Sequence, residues 1–174
     1  LARVKMSVPD DGAVRKKKNA EFISTAEKPF VQQHKGKTMS ILIKDEGFHD
    51  DDLSGVAFAS LEDFSAADKF LDLPNDINAI AIIGVFDQVE AIRISFASFA
   101  DGRGFTIARM LRLKGYTGRL RARGHVIADQ YAMARRVGFD EVEITQDLAA
   151  RQPETQWKFR ADWKENDYQA RLRG

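Results

Sequence analysis

The strongest constraint on this chain is a set of three strand-like segments that each carry one apolar and one charged face, separated by helix-like segments. In residues 91–96, Ile92, Ile94 and Phe96 share a face against Arg93 and Ser95. Around 120–122, Leu120 and Ala122 oppose Arg119, Arg121 and Arg123, and in 141–144 Val142 and Ile144 oppose Glu141 and Glu143. A strand's period of two puts each set on its own face.

Residues 105–114 and 127–137 read as helices, with Gly115 and Gly138 just past their ends, where a left-handed residue closes a helix. Strands that alternate with helices imply parallel βα units with right-handed crossovers. A sheet wound on both faces has near-continuous apolar strands, which these are not. The expected fold is α/β: successive parallel βα units with helices mainly on one face, a partial-barrel-like sheet whose other face is polar.

If the three strands are neighbours, the Arg rows and the Glu row pair across the sheet, at about 0.2–1 kcal/mol per pair. A second reading has Arg93, Arg121 and Arg123 lining an anion-binding concavity. Upstream, residues 41–43 and 55–59 read as strands. Ser60 is placed to cap a helix over 61–71 with Leu61, Phe64, Ala67 and Leu71 as its buried stripe, and the β-branched run 77–83 reads as another strand.

Three parts follow along the chain. Residues 1–38 hold nine Lys and Arg against four Asp and Glu, include Arg15-Lys16-Lys17-Lys18, and show no sustained period. They read as a flexible basic extension, or as sequence upstream of a start at Met39. Residues 39–146 form the α/β domain. Residues 147–174 are a C-terminal arm in which Trp157, Phe159, Trp163 and Tyr168 alternate with basic residues. That arm packs on the domain or on a partner, a second copy included; the competing reading, stacking on nucleic-acid bases, is disfavoured by a net charge of only +1.

The chain has no cysteine, which removes disulfides, thiolate-bound metals and thiol redox chemistry. Any electrons must be carried by a bound cofactor, whose identity is open, or by a partner. His34, His49 and His125 are far apart, and Asp50-Asp51-Asp52 lacks calcium-loop spacing, so no metal site is expected. No apolar run approaches the roughly 20 residues that span a bilayer, and the expected location is cytoplasmic.

Two polar corners carry the candidate chemistry. Asp101-Gly102-Arg103-Gly104 closes a strand and opens a helix, so its glycines would let backbone N–H groups approach a ligand, with Arg103 gripping an oxyanion. The competing reading is a tight loop in which Asp101 caps backbone donors and Arg103 pairs with Asp129 or Glu141. Gly124-His125 is the equivalent corner one unit later. There Asp129 could orient the His125 imidazole for acid–base work, and Gln130 lies beside it. The expected ligand rim is Asp101, Gly102, Arg103, Gly104, His125, Asp129 and Gln130, with Arg121 and Arg123 beneath; His125 and Asp101 are the candidate proton carriers. Tyr131 reads as core, and Arg135 and Arg136 as solvent-facing residues that answer a helix dipole.

The segments Phe99-Ala-Asp-Gly-Arg-Gly-Phe-Thr-Ile-Ala-Arg109, Gly115-Tyr-Thr-Gly-Arg-Leu-Arg-Ala122, Gly124-His-Val-Ile-Ala-Asp-Gln130 and Arg136-Val-Gly-Phe-Asp-Glu-Val-Glu-Ile144 resemble the bacterial domain-of-unknown-function 934 family. So do Ile43-Lys-Asp-Glu-Gly-Phe48 and the Asp162-Trp163 and Asp167-Tyr-Gln169 segments, and the similarity runs from about Ser40 to Arg173. Genes of this family typically neighbour those for sulfite reductase and sulfate assimilation. The resemblance therefore implies an oxidoreductase or an accessory protein of assimilatory sulfite reduction. Two readings follow: a non-catalytic partner of sulfite reductase or its electron donor, and an enzyme that binds a small oxyanion or phosphate-bearing cofactor at the rim.

Overall fold

A computed structural model describes residues 40–165 and Leu172. The extension over 1–38 and Tyr168 lie outside the described residues. Seven strands form one sheet: β1 (Ser40–Lys44), β2 (Gly47–Asp50), β3 (Ala59–Ser60), β4 (Phe70–Leu73), β5 (Ala91–Phe96), β6 (Arg119–Gly124) and β7 (Glu141–Thr145), in the order β2-β1-β7-β6-β5-β4-β3. Strands β3 to β7 are mutually parallel, while β1 runs antiparallel to both β7 and β2. The protein is α/β. Each parallel strand lies beside the one before it in sequence, so the winding never reverses as it does in a doubly wound sheet.

The alternation seen in sequence sets the faces. Ile92, Ile94 and Phe96 lie in register with Leu120, Ala122 and Gly124, and Ala122 with Val142. Apart from Gly124, these residues are buried with Ile43, Leu71 and Leu73 in one core. Helix α1 (Arg103–Leu113) covers this face with Phe105, Ile107, Ala108 and Leu111, spaced to make one apolar stripe. Its last turn is stapled by Arg112, which donates to the carbonyls of Tyr116, Gly118 and Gly138 and to the Asp140 carboxylate at 2.7–2.9 Å.

Helix α2 (Tyr131–Val137) follows a 3₁₀ turn, Ala128–Gln130, and ends at Gly138, whose φ of +113° places it in the left-handed region. Helix α3 (Gln146–Arg151) starts directly from β7 with Thr145 as its cap, and α4 (Glu154–Phe159) follows Pro153. Trp157 of α4 is 1% exposed, packs edge-on against Tyr131 at 5.9 Å, and donates its indole N–H to the Gln152 carbonyl. This part of the C-terminal arm is core. Glu154 accepts the Phe48 N–H and so ties α4 to the edge strand β2. Among the described residues no helix is long and apolar enough to cross a membrane.

Three local expectations fail. No helix forms over 61–71: Ser60 accepts the Asp63 N–H as a cap would, but the turn does not propagate. The end of that segment is β4, where Phe70 and Asp72 face the charged side and Leu71 and Leu73 the core, a period of two that the spacing of Leu61, Phe64 and Leu71 concealed. The apolar run 77–83 is a 3₁₀ helix, Ala79–Val85, capped by Asn78; Ala79 and Ile82 are buried while Ile80 and Ile83 are exposed, the three-residue period of that helix. Of the strand expected over 55–59, only Ala59 is in β3.

Candidate functional site

The C-terminal ends of β5 and β6 lie side by side, with Phe96 paired to Gly124. Gly124 turns the chain with φ +108°, a conformation costly for any residue with a Cβ. The two following loops are joined by Gln130, whose amide donates to the Phe99 carbonyl at 2.7 Å and accepts the Ile127 N–H at 3.2 Å. The rim predicted from sequence is therefore one rim.

Within it the pairings differ from those expected. Arg103 grips Asp101, with Nε at 2.9 Å and Nη2 at 2.6 Å, and the Arg103 backbone N–H adds a bond at 3.2 Å. Neither Asp129 nor Glu141 is its partner. Asn75, from the loop after β4, also donates to Asp101 at 2.8 Å. Arg103 above all holds the Asp101 carboxyl far below the usual carboxylate range, which makes Asp101 a weak base with no proton to give near neutrality.

Gly104 serves packing: a Cβ there would run into the Phe96 ring. Gly102 has an ordinary negative φ and room for a Cβ. His125 is exposed, and among the described residues its side chain has no hydrogen-bond or ion-pair partner. Asp129 pairs with Arg160 at 2.6 Å instead of orienting the imidazole.

Arg121 and Arg123 sit on the charged face of the sheet, held by carboxylates. Arg121 is 1% exposed; its Nε bonds Glu141 at 2.6 Å, and its Nη1 bonds Asp51 at 2.7 Å and Glu143 at 3.1 Å. Burial works against its charge, but Glu141 and Asp51 outweigh burial and hold the guanidinium protonated. Arg119 bonds Asp52 twice at 2.7 Å and Glu141 at 2.6 Å, which raises its pKa further, with Asp52 the main cause. Arg93 bonds Asp72 at 2.8 Å and lies 4.0 Å from the centre of the Phe58 ring; Arg123 reaches Asp72 and Glu143 at 3.5 Å.

Together with Lys44, five cations thus meet five carboxylates in one network. The cross-strand pairing expected from sequence is present. Among the described residues every buried side-chain nitrogen and oxygen has a partner, and no three His, Asp or Glu side chains converge to hold a metal ion.

A cleft of about 620 Å³ opens where the loop after β6 meets α4; Ile127, Asp129, Gln152, Gln156, Phe159 and Arg160 line it. A smaller one of about 370 Å³ shares Asp129, Phe159 and Arg160 and adds Met133. Phe159 is 74% exposed, two residues on from the buried Trp157, and Met133 and Phe99 are exposed too. The Arg160 guanidinium lies 5.4 Å from the centre of the Phe159 ring. Sequence reasoning grouped Phe159 with the packing aromatics; only the two-residue step from Trp157, which puts them on different sides of α4, distinguishes the two.

Sequence reasoning also missed Asp45, in the turn between β1 and β2. It accepts hydrogen bonds from Tyr131 at 2.8 Å, from Arg135 at 2.9 and 3.0 Å, and from Trp163 at 3.3 Å. Arg135 is consequently a tether between α2 and the first hairpin, and does not face water as expected. The 43–48 and 162–163 segments, far apart in sequence, meet at this carboxylate.

The family model described as "Bacterial protein of unknown function (DUF934)" matches residues 71–174. No curated protein and no solved structure matches the chain.

Proposed function

Since the chain belongs to the bacterial DUF934 family, we propose that it is a non-catalytic partner in assimilatory sulfite reduction, working in the cytoplasm by docking on sulfite reductase or its electron donor. The link to sulfite reduction rests on the resemblance set out above. The docking role rests on one observation: Phe159 stands largely exposed in the lining of the 620 Å³ cleft, beside the Asp129–Arg160 pair and the exposed Met133. An aromatic anchor flanked by Arg and ringed by polar groups is the usual composition of an interaction hot spot.

A pull-down of sulfite reductase on the purified chain, with an absorption spectrum of the same sample, tests this reading. Capture that Phe159→Ala abolishes is the expected result. A flavin- or haem-loaded chain that does not bind the reductase overturns it.

The second reading is an enzyme that takes a small oxyanion or a phosphate-bearing cofactor at the rim. It draws support from the exposed His125, without a partner among the described residues, on the same rim as Arg103. In that case His125 moves the proton, since Asp101 is held ionised by Arg103. Saturable binding of an oxyanion that Arg103→Ala weakens, without any reductase capture, would favour it.

A further inference from the structure

We propose that Arg119 and Arg121 form a cradle for a small oxyanion of the phosphate or sulfate type, and that Asp52 occupies this cradle as a tethered internal competitor. The inference stands on the charged sheet face and depends neither on the docking role nor on the rim.

Strand β6 places the two arginines two residues apart on one face, and their guanidinium groups converge on a single carboxylate. Three N–H groups meet Asp52: Arg119 Nη1 at 2.7 Å from Oδ2, Arg119 Nη2 at 2.7 Å from Oδ1, and Arg121 Nη2 at 3.3 Å from Oδ1. A forked arrangement of this kind fits phosphate or sulfate oxygens as well as it fits a carboxylate.

The two acidic neighbours have different standing. Asp51 is fixed: its carboxylate accepts from Ser40 Oγ and from the Leu53 N–H, both at 3.0 Å, as well as from Arg121. Among the described residues Asp52 is hydrogen-bonded only by the arginines, and its side chain is 54% exposed, so its place is reached directly from solvent. Residues 54–57, just beyond it, are exposed and include Gly55 at φ +87°, so little apolar surface holds the segment down.

Charge points the same way. With Asp52 in place the network is balanced, five cations against five carboxylates; with Asp52 swung out it is cationic by one, over a fork backed by the buried Arg121. An incoming oxyanion restores compensation to a guanidinium pair that is otherwise left short of acceptors.

The test is calorimetric titration of the full chain with sodium phosphate and, separately, sodium sulfate, against chloride at matched ionic strength. Wild type is expected to bind weakly, Asp52→Asn about tenfold more tightly, and Arg119→Ala not at all. Binding of phosphate alone or of sulfate alone identifies which oxyanion the cradle takes. A folded Asp52→Asn variant that binds neither anion more tightly than wild type overturns the proposal, as does undiminished binding by Arg119→Ala. If Asp52→Asn does not fold, the wild-type Arg119 Nε–H resonance decides: it shifts saturably with phosphate or sulfate, and its failure to do so overturns the proposal.

Discussion

Arg135 in α2 grips Asp45 in the β1–β2 turn through two hydrogen bonds, Nε to Oδ1 at 2.9 Å and Nη2 to Oδ2 at 3.0 Å. Tyr131 and Trp163 donate to the same carboxylate, so one acid ties together the first hairpin, the second helix and the C-terminal segment. Asp45→Ala leaves these donors unsatisfied and is expected to cost about 1–3 kcal/mol in urea unfolding. A loss within a few tenths of a kcal/mol would show the tether to be idle.

The same carboxylate makes stability depend on pH. Burial raises its pKa, but the bonds from Arg135, Tyr131 and Trp163 more than offset burial and leave it below the usual range. The folded state therefore favours the ionised form. Its contribution is complete above the ordinary aspartate value of about 4 and is lost as pH falls through the lower folded value. Asp45→Asn should lose less stability than wild type between about pH 5 and pH 2; parallel profiles would contradict this.

Tyr116 and Tyr131 are shifted the other way. Burial is the main cause for both, and Asp45 adds to it at Tyr131 by accepting the phenol's hydrogen bond. Both phenols are expected to stay protonated well past the ordinary tyrosine value of about 10. In a titration followed by tyrosinate absorbance, their signal should emerge only with alkaline unfolding; reversible ionisation of all three tyrosines near the ordinary value would contradict it.

On the charged face, Arg121→Met leaves the buried Glu141 with Arg119 and Lys44, takes a shared cation from Asp51 and Glu143, and is expected to cost about 3–5 kcal/mol; Arg121→Met with Glu141→Leu should recover part of that loss. Thermal unfolding of the single and double variants checks this. Equal losses in both would place the energy outside the pair.

The central architecture was legible because Ile92, Leu120 and Val142 alternate strictly with charged neighbours, a pattern that local sequence carries whole. Segments 61–71 and 77–83 misled because their apolar spacing suits more than one period, and the choice was made by tertiary partners: Asp72 answers Arg93 and Arg123, and Ile82 enters the core. The rim was readable, since strand ends locate it. Its pairings were not, and neither were the bonds from Arg121 to Asp51, 70 residues away, and from Arg135 to Asp45, 90 residues away. The Asp50-Asp51-Asp52 run was weighed only as a calcium loop; a strand of arginines seeking acceptors was the signal that could have found its role.

Gly104 separates packing from ligand approach. Gly104→Ala drives a methyl group into the Phe96 ring and is expected to cost about 1–3 kcal/mol, and Phe96→Leu in the same chain should relieve part of it. Unchanged stability, together with altered anion binding, would return the glycine to the ligand reading.

The most direct measurement is the affinity of the purified chain for assimilatory sulfite reductase, by calorimetry, for wild type and Phe159→Ala. Saturable binding that weakens by about 30-fold on loss of the exposed ring, the effect of a hot-spot residue worth about 2 kcal/mol, is the predicted result. No binding by wild type, or binding indifferent to Phe159, would contradict the docking role.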